Sequence, residues 1–347
     1  MANSNIYATT RELWQKGVRK MVLLQLPIYA AMLDRRRIVW KGGTKIKHTA
    51  QFTDMASLGQ AYGSNDPLTS SSKTLWKTMQ WPWKKATLPI NYGVDEYLEN
   101  DGGNDTSPVA LIPKLIEAGQ EGMRKFMYEM MYSMADVATT DTKKTFQSIP
   151  DALEHANTYG GVARTAAAYT WWNGASLAGT WTDRNDVMPA TIANFRSCMD
   201  VITRYAKTTP KNGDIIAVMG SSIFRAFQSQ VEARHIYNRE GVGMLAKYGF
   251  DAFYLDGVQF VKDPFLDTDP EGGTTTSGDL ASEWFFLLNL KDWELRINPK
   301  RAFNITGLKW QAEQAGGKDE WLARIMLAGN LYCKKPNGSM WKSYVTT

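Results

Sequence analysis

Two stretches decide how this chain is read: RIVWKGGTKIKHTAQF at residues 37–52 and TLWKTMQWPWKKATLPINY at residues 74–92. In the first, Ile38, Trp40, Ile46 and His48 fall at even spacings, interrupted by Gly42-Gly43. The second carries Trp76, Trp81, Trp83 and Ile90. Between them, residues 54–72 are short of large apolar side chains and rich in Gly, Ser, Asn and Asp. Period-two runs of aromatic and β-branched residues around a polar segment predict a long two-stranded ribbon with a polar tip. An isolated hairpin is marginal in water, so the ribbon must lie on something else. Trp40, Trp76, Trp81 and Trp83 are the large faces that would do so, against another part of the chain or against a neighbouring chain.

Upstream of the ribbon, Thr9-x-x-Glu12 has capping-box spacing, and Trp14, Val18, Met21 and Val22 follow at three- to four-residue intervals. That pattern predicts a helix with one apolar stripe. Lys16, Arg19 and Lys20 precede the apolar run Met21–Leu33 much as a basic region precedes a signal-peptide core. Gln25 and Pro27 interrupt that run, however, and Arg35-Arg36-Arg37 stand where a small-residue cleavage site belongs. No stretch reaches the ~20 apolar residues of a membrane span, so neither a signal peptide nor a membrane partner is expected.

Charge is distributed unevenly. The first 50 residues hold 10 Lys and Arg against two acids, a net +8, while the other 297 carry −3, which gives the overall +5. A basic arm of this kind suits an acidic neighbour, nucleic acid or water.

Downstream, Ser107-Pro108 reads as an N-cap and first helical residue, opening the longest helical pattern in the chain, up to about Thr139. Its expected buried face is Leu111, Leu115, Ala118, Met123, Phe126, Met127, Met130 and Met134, the methionines acting as adaptable core filler. Gly119 and Gly122 weaken the helix and leave room for a close neighbour. The remaining residues read as a compact α+β body. Helices are expected at Met188–Lys207 and from Ile223, after the turn Gly220-Ser221-Ser222. Strands are expected at Asp214–Met219, Trp284–Leu290, Trp293–Ile297 and Ile325–Cys333, with a hairpin of Phe253–Leu255 and Val258–Val261 turning on Asp256-Gly257.

The 347 residues, 44% hydrophobic and 22% charged, have ordinary globular usage and length for about two domains. Thirteen tryptophans against three histidines favour packing and contact surface over acid–base chemistry. Cys198 and Cys333 stand 135 residues apart without partners at metal spacing, which excludes a disulfide framework and a zinc site and fits a reducing compartment. His48, His155 and His235 are scattered, and no Gly-x-Ser-x-Gly elbow accompanies them. Gly241-Val242-Gly243 follows a charged run where a dinucleotide fingerprint needs a strand. Asp267-Thr268-Asp269-Pro270-Glu271-Gly272 matches half a calcium loop, but the twelfth position is Gly278, so an acidic surface turn is the reading. No catalytic residue, cofactor or metal is expected.

The most distinctive stretch runs from Tyr159-Gly160-Gly161 through Arg164 to Trp171-Trp172-Asn173. Its paired tryptophans would line a sugar site or anchor a loop against a neighbour. Lacking a carboxylate pair at recognisable spacing, glycosidase chemistry is unsupported, and a carbohydrate-binding or carbohydrate-active protein is kept as the alternative function. A nucleic-acid-binding module ranks third.

A basic arm, a long aromatic ribbon, a long helix and a compact α+β body, in that order, resemble the major capsid proteins of tailed double-stranded DNA phages with the Hong Kong 97-type fold. Segments that look like one branch of that family are Asn91-Tyr92-Gly93, Tyr159–Arg164 with Trp171-Trp172, Leu255–Val258, Phe286–Leu290, Gly329-Asn330-Leu331 and Asn337-Gly338. The resemblance implies an N-terminal arm at 1–34, an extended loop at 35–98, a spine helix with the first part of a peripheral domain at 99–186, and an axial domain with the remaining peripheral strands at 187–347. It implies a non-enzymatic protein assembling as hexamers and pentamers of an icosahedral shell in the virion, built in the host cytoplasm. The implied partners are a portal protein, enclosed double-stranded DNA bound without sequence specificity and, for a surface insertion at Asp263–Glu271, a decoration protein. No long scaffolding segment precedes the arm, which implies a separate scaffold protein or earlier proteolytic removal. Inter-subunit contacts are expected at Trp40, Trp76, Trp81, Trp83, Arg35, Arg36, Arg37, Trp171 and Trp172. Nothing marks a catalytic glutamate for a lysine–asparagine cross-link, and none is expected at Lys45, Lys73 or Lys77.

Overall fold

A computed structural model describes residues 23, 26–51, 58, 60–64, 74–93, 111–133, 146–155, 158–164, 171–177, 187–206, 214–233, 251–268, 283–306, 309–310 and 319–345. The expected helix around Thr9–Val22, the caps at Ser107-Pro108 and the acidic residues from Asp269 onward lie outside them.

The first element, α1 (Pro27–Asp34), opens with proline at its first turn and is buried from Pro27 to Met32. It ends in a Schellman motif, in which the Arg36 amide reaches Leu33 O at 3.0 Å and the Arg37 amide reaches Met32 O at 2.7 Å. Arg36 supplies the left-handed residue this motif needs, at φ 55°. Strand β1 (Ile38–Trp40) follows, then the ribbon pair β2 (Ile46–Gln51) and β3 (Trp76–Trp81), and β4 (Lys84–Gly93).

The expected ribbon is thus only partly a ribbon. β2 and β3 pair antiparallel from Ile46↔Trp81 to Gln51↔Trp76. The outgoing leg β1 instead joins the body beside β12 (Trp293–Ile305), in parallel. The returning leg β4 pairs along its whole length with β14 (Glu320–Cys333), from Lys84↔Gly329 to Gly93↔Glu320. With β13 (Lys309–Trp310) these strands form a five-stranded sheet.

Helix α2 (Leu111–Tyr132) packs on one face of that sheet. Its two glycines explain how closely. A Cβ on Gly119 would stand 2.6 Å from Ile90 Cδ1, and one on Gly122 would stand 3.2 Å from Leu88 Cδ2. Met123, Met127 and Met130 are buried as expected. Ala118 is exposed, because Gly119 takes the strand-facing position.

Short α3 (Ile149–Leu153) and the two-residue strands β5 (Thr158–Tyr159) and β6 (Val162–Ala163) come next, then β7 (Val187–Pro189), α4 (Ile192–Ala206), β8 (Ile215–Met219) and α5 (Ser221–Ala233). The hairpin β9 (Ala252–Leu255) and β10 (Val258–Lys262) turns on Asp256 and Gly257, both left-handed at φ 52° and 81°, the geometry of a primed turn. After a three-ten turn (Pro264–Thr268) come β11 (Trp284–Asn289) and, last, β15 (Met340–Val345). These strands make a six-stranded mixed sheet in the order β7-β15-β11-β8-β10-β9.

The two faces of this second sheet belong to different cores. Along β11, Phe285 and Leu287 join a core with Phe195, Phe227 and Phe260, while Trp284, Phe286 and Leu288 join a larger core with α1, α2 and the first sheet. The segment from Asp263 is not wholly a surface insertion. Asp263 and Leu266 are fully buried, and Asp267 accepts hydrogen bonds from the Ser221 amide (2.8 Å) and hydroxyl, capping α5.

Candidate assembly site at the root of the ribbon

Strand alternation gives β2–β3 two faces. Ile46, Met79 and Trp81 turn toward the body and are fully buried. Lys47, Thr49, Gln51, Trp76, Thr78 and Gln80 turn outward and are exposed, with the Thr49 and Thr78 hydroxyls 2.9 Å apart.

Trp81 is the anchor. Its ring packs against Tyr332 (centroids 4.8 Å apart), Tyr159 (5.6 Å) and Trp172 (6.4 Å), all of the same chain. Trp172 is itself buried, and donates its indole N–H to Tyr159 O at 3.0 Å. Tyr159 in turn accepts the Cys333 amide at its hydroxyl, 2.7 Å away. Two of the tryptophans expected at inter-subunit contacts, Trp81 and Trp172, are therefore core residues of the subunit. The ring of Trp172 is packed by Trp81, Tyr159 and Trp171, so Trp172 offers no open face to a sugar.

The β5–β6 hairpin holds this anchor from outside. The Gln80 amide donates to Gly160 O at 3.0 Å, tying ribbon to hairpin. Gly160 adopts φ 60°, and a Cβ there would meet Trp81 Cζ2 at 2.9 Å and Met79 Cβ at 3.0 Å. The hairpin is fixed by Arg164, a buried guanidinium that donates to the carbonyls of Ala152 (2.7 Å), Asp151 (3.3 Å) and Glu154 at the C-terminal end of α3, and lies 4.6 Å over the Tyr159 ring. A cation there completes orphan carbonyls and opposes the helix dipole. Burial lowers its pKa to about 10, which leaves it charged at neutral pH.

Below the ribbon lies a polar cluster. Glu294 accepts from Arg296 (2.9 Å), Lys334 and the Tyr332 hydroxyl. Burial pulls its carboxyl upward, but the bonds from Lys334, Tyr332 and Arg296 outweigh that and hold it below the usual carboxylate range. His48, half-buried on the body-facing side of β2, is pushed below the ordinary imidazole value by burial and by Lys334, with Glu294 opposing.

Of the other residues expected at contacts, Arg35 is spent within the chain, its guanidinium 3.0 Å from Asp214 Oδ1. Arg36 is exposed, and Arg37 and Trp171 are half-buried. Trp83 is half-buried and bridges the two legs, donating to Gly43 O at 2.6 Å. Trp40 and Trp76 keep 37% and 57% exposure and are the outward-facing tryptophans of the group. Residues 38–51 and 74–93 include six lysines and no acid, and Lys41, Lys45, Lys47 and Lys85 are exposed. Cys198 and Cys333 are free and buried. Among the described residues no His, Cys, Asp and Glu cluster of metal-binding form occurs.

No family model matches the sequence, and no curated protein is significantly similar to it. The fold has relatives among solved structures. The cyanophage A-1(L) capsid asymmetric unit superposes with a TM-score of 0.61 at 15% identity, over 90% of this chain and 91% of that one. The chain has the Hong Kong 97-type capsid fold. The cyanophage Pam1 capsid asymmetric unit (TM-score 0.49, 15% identity, 89% and 91% covered) and the capsid of Myoviridae phage XM1 (0.49, 12%, 90% and 92%) are weaker likenesses that carry no further weight.

Proposed function

We propose that this chain is the major capsid protein of a tailed double-stranded DNA phage, its subunits forming the hexamers and pentamers of an icosahedral virion shell assembled in the host cytoplasm. The observation that carries this reading is the ribbon. It is rooted in its own subunit through Trp81, yet turns outward Lys47, Thr49, Gln51, Trp76, Thr78 and Gln80, with Lys41, Lys45 and Lys85 exposed at its root. That surface suits a neighbour whose body carries the opposite charge, as the −3 outside the first 50 residues provides. A face of one kind meeting a face of another is a head-to-tail contact, and such contacts close into rings when the rotation allows.

On this reading the arm (1–34), extended loop (35–98), spine segment (99–186) and remaining body (187–347) keep their expected roles, with Trp40, Trp76, Arg36 and Trp83 as the contact residues. Portal, separate scaffold, decoration protein and packaged DNA are the partners such a shell uses. Electron microscopy of the recombinant chain, alone and with a co-expressed scaffold, tests the proposal. Rings or shells are expected; a monomer that persists at high concentration in both preparations refutes it.

A further inference from the structure

One buried carboxylate touches both cores. Asp263 is fully buried just after β10, and its amide donates to Met219 O at 2.9 Å, at the end of β8. Its side chain crosses to the other core. Oδ2 accepts the Tyr132 hydroxyl of α2 at 2.7 Å, Oδ1 accepts the Phe265 amide at 3.1 Å, and the Tyr128 hydroxyl also bonds to it. Phe265 stacks on Tyr128 with centroids 4.2 Å apart and planes 10° apart, so the three-ten turn and the end of α2 are joined by ring and carboxylate together. Two residues on, Asp267 caps α5. The groups facing Asp263 are thus Tyr128 and Tyr132 from α2 and Asp267 from its own turn, with Tyr29 of α1 beside Tyr132.

We infer that Asp263 is an acid-set lock between α2 and the six-stranded sheet, looser when its carboxyl is ionised and tighter when it is protonated. The tyrosine hydroxyls and the Phe265 amide donate to the ionised form, while a hydroxyl oxygen can also accept the proton of the neutral one. Only the ionised form carries a charge out of water, and opening the joint hydrates it.

Burial, reinforced by Asp267 and opposed by Tyr132 and the Phe265 amide, raises the carboxyl from 3.8 to about 6. The folded value lies above the unfolded one, so the folded joint holds its proton more tightly and loses stability as pH rises from about 4 to about 6, with little further change above. Closure is therefore roughly fourfold more favourable at pH 5.5 than at 7.5, and roughly 25-fold at pH 4.5.

Hydrogen exchange of the α2 amides at 126–133, in the full chain and corrected for intrinsic rates, reads the lock directly. Protection in the wild type should rise by those factors on acidification, and D263N, which keeps the shape without the charge, should flatten the response. Y132F removes a donor to the ionised form and should move the transition to higher pH. A wild-type response that is flat, or one that survives D263N unchanged, overturns the inference. If D263N does not fold, an unmoved midpoint in Y132F overturns it.

Discussion

Gly160 and Gly161 allow the anchoring of the ribbon to be measured against an internal control. Both are left-handed, at φ 60° and 77°. An alanine at either carries the backbone cost of that region, about 1–2 kcal/mol. They differ in what a Cβ would touch. At Gly161 nothing lies within 4 Å, whereas at Gly160 two atoms of the Trp81 ring and Met79 Cβ lie at 2.9–3.0 Å. Forcing a methyl group into a packed core costs a further 1–3 kcal/mol or so, and here that displacement falls on the side chain that seats the ribbon. G161A should therefore destabilise the subunit by about 1–2 kcal/mol and G160A by about 2–5 kcal/mol. At about 2 °C of Tm per kcal/mol for a chain of this length, the variants should separate by several degrees in calorimetry of the unassembled chain. G160A should also lower the yield of rings or shells by electron microscopy more than G161A at matched folded concentration. Equal Tm losses in the two variants would refute the claim that Gly160 is small because Trp81 needs the space.

Two further outcomes follow from the same geometry. A Cβ on Gly329 would stand 2.7 Å from Arg296 O, a backbone atom that cannot swing aside, so G329A should cost at least as much as G160A and register as loss of soluble chain or a lower urea midpoint. At the ribbon, His48 has a folded pKa below its unfolded value of about 6.5. The unfolded chain then binds more protons in that range, so docking of β2 is fully present above about pH 6.5 and weakens as pH falls toward the folded value. Exchange protection at 46–51 should accordingly drop on acidification, opposite in sign to that at 126–133, and H48Q should abolish the drop; an equal drop in H48Q would count against it.

How much of this was legible in the sequence depended on whether a feature is local. Asp256-Gly257 announces its turn because two adjacent residues supply both left-handed positions. The methionines of α2 announce a buried face because the helical period is written in one segment. The returning leg β4 announces only that it is a strand. Its alternation would be the same beside β2 or beside β14, and the partner it takes, Leu88↔Ile325 among others, lies more than two hundred residues away. Tryptophan count pointed correctly to packing, but composition does not say whether a ring packs inside one chain or between two, and Trp81 and Trp172 proved to be inside. Arg164 and Asp263 were unreadable as core residues for a related reason: a charged side chain is buried only where distant carbonyls or hydroxyls converge on it, and no short spacing encodes that convergence. The double glycine at 160–161 was the available signal for close approach, and it marked the place without naming Trp81 as the neighbour.

The rooted ribbon alters the energetics of the proposed assembly. A free hairpin of this length would be ordered only on binding, and each residue fixed then would cost about 1–2 kcal/mol of backbone entropy taken from the contact. Here Ile46, Met79 and Trp81 settle the direction of β2–β3 within the folded subunit, and the Gln80–Gly160 hydrogen bond and the Trp83–Gly43 bond hold both legs before any neighbour arrives. More of the interaction with a neighbour can then appear as affinity, since preorganisation removes part of the ordering cost. The same arrangement makes the ribbon's angle a property of the Trp81 pocket. Substitutions there should act on assembly without touching the outward face, whereas substitutions at Trp76 should weaken contacts while leaving subunit stability nearly unchanged.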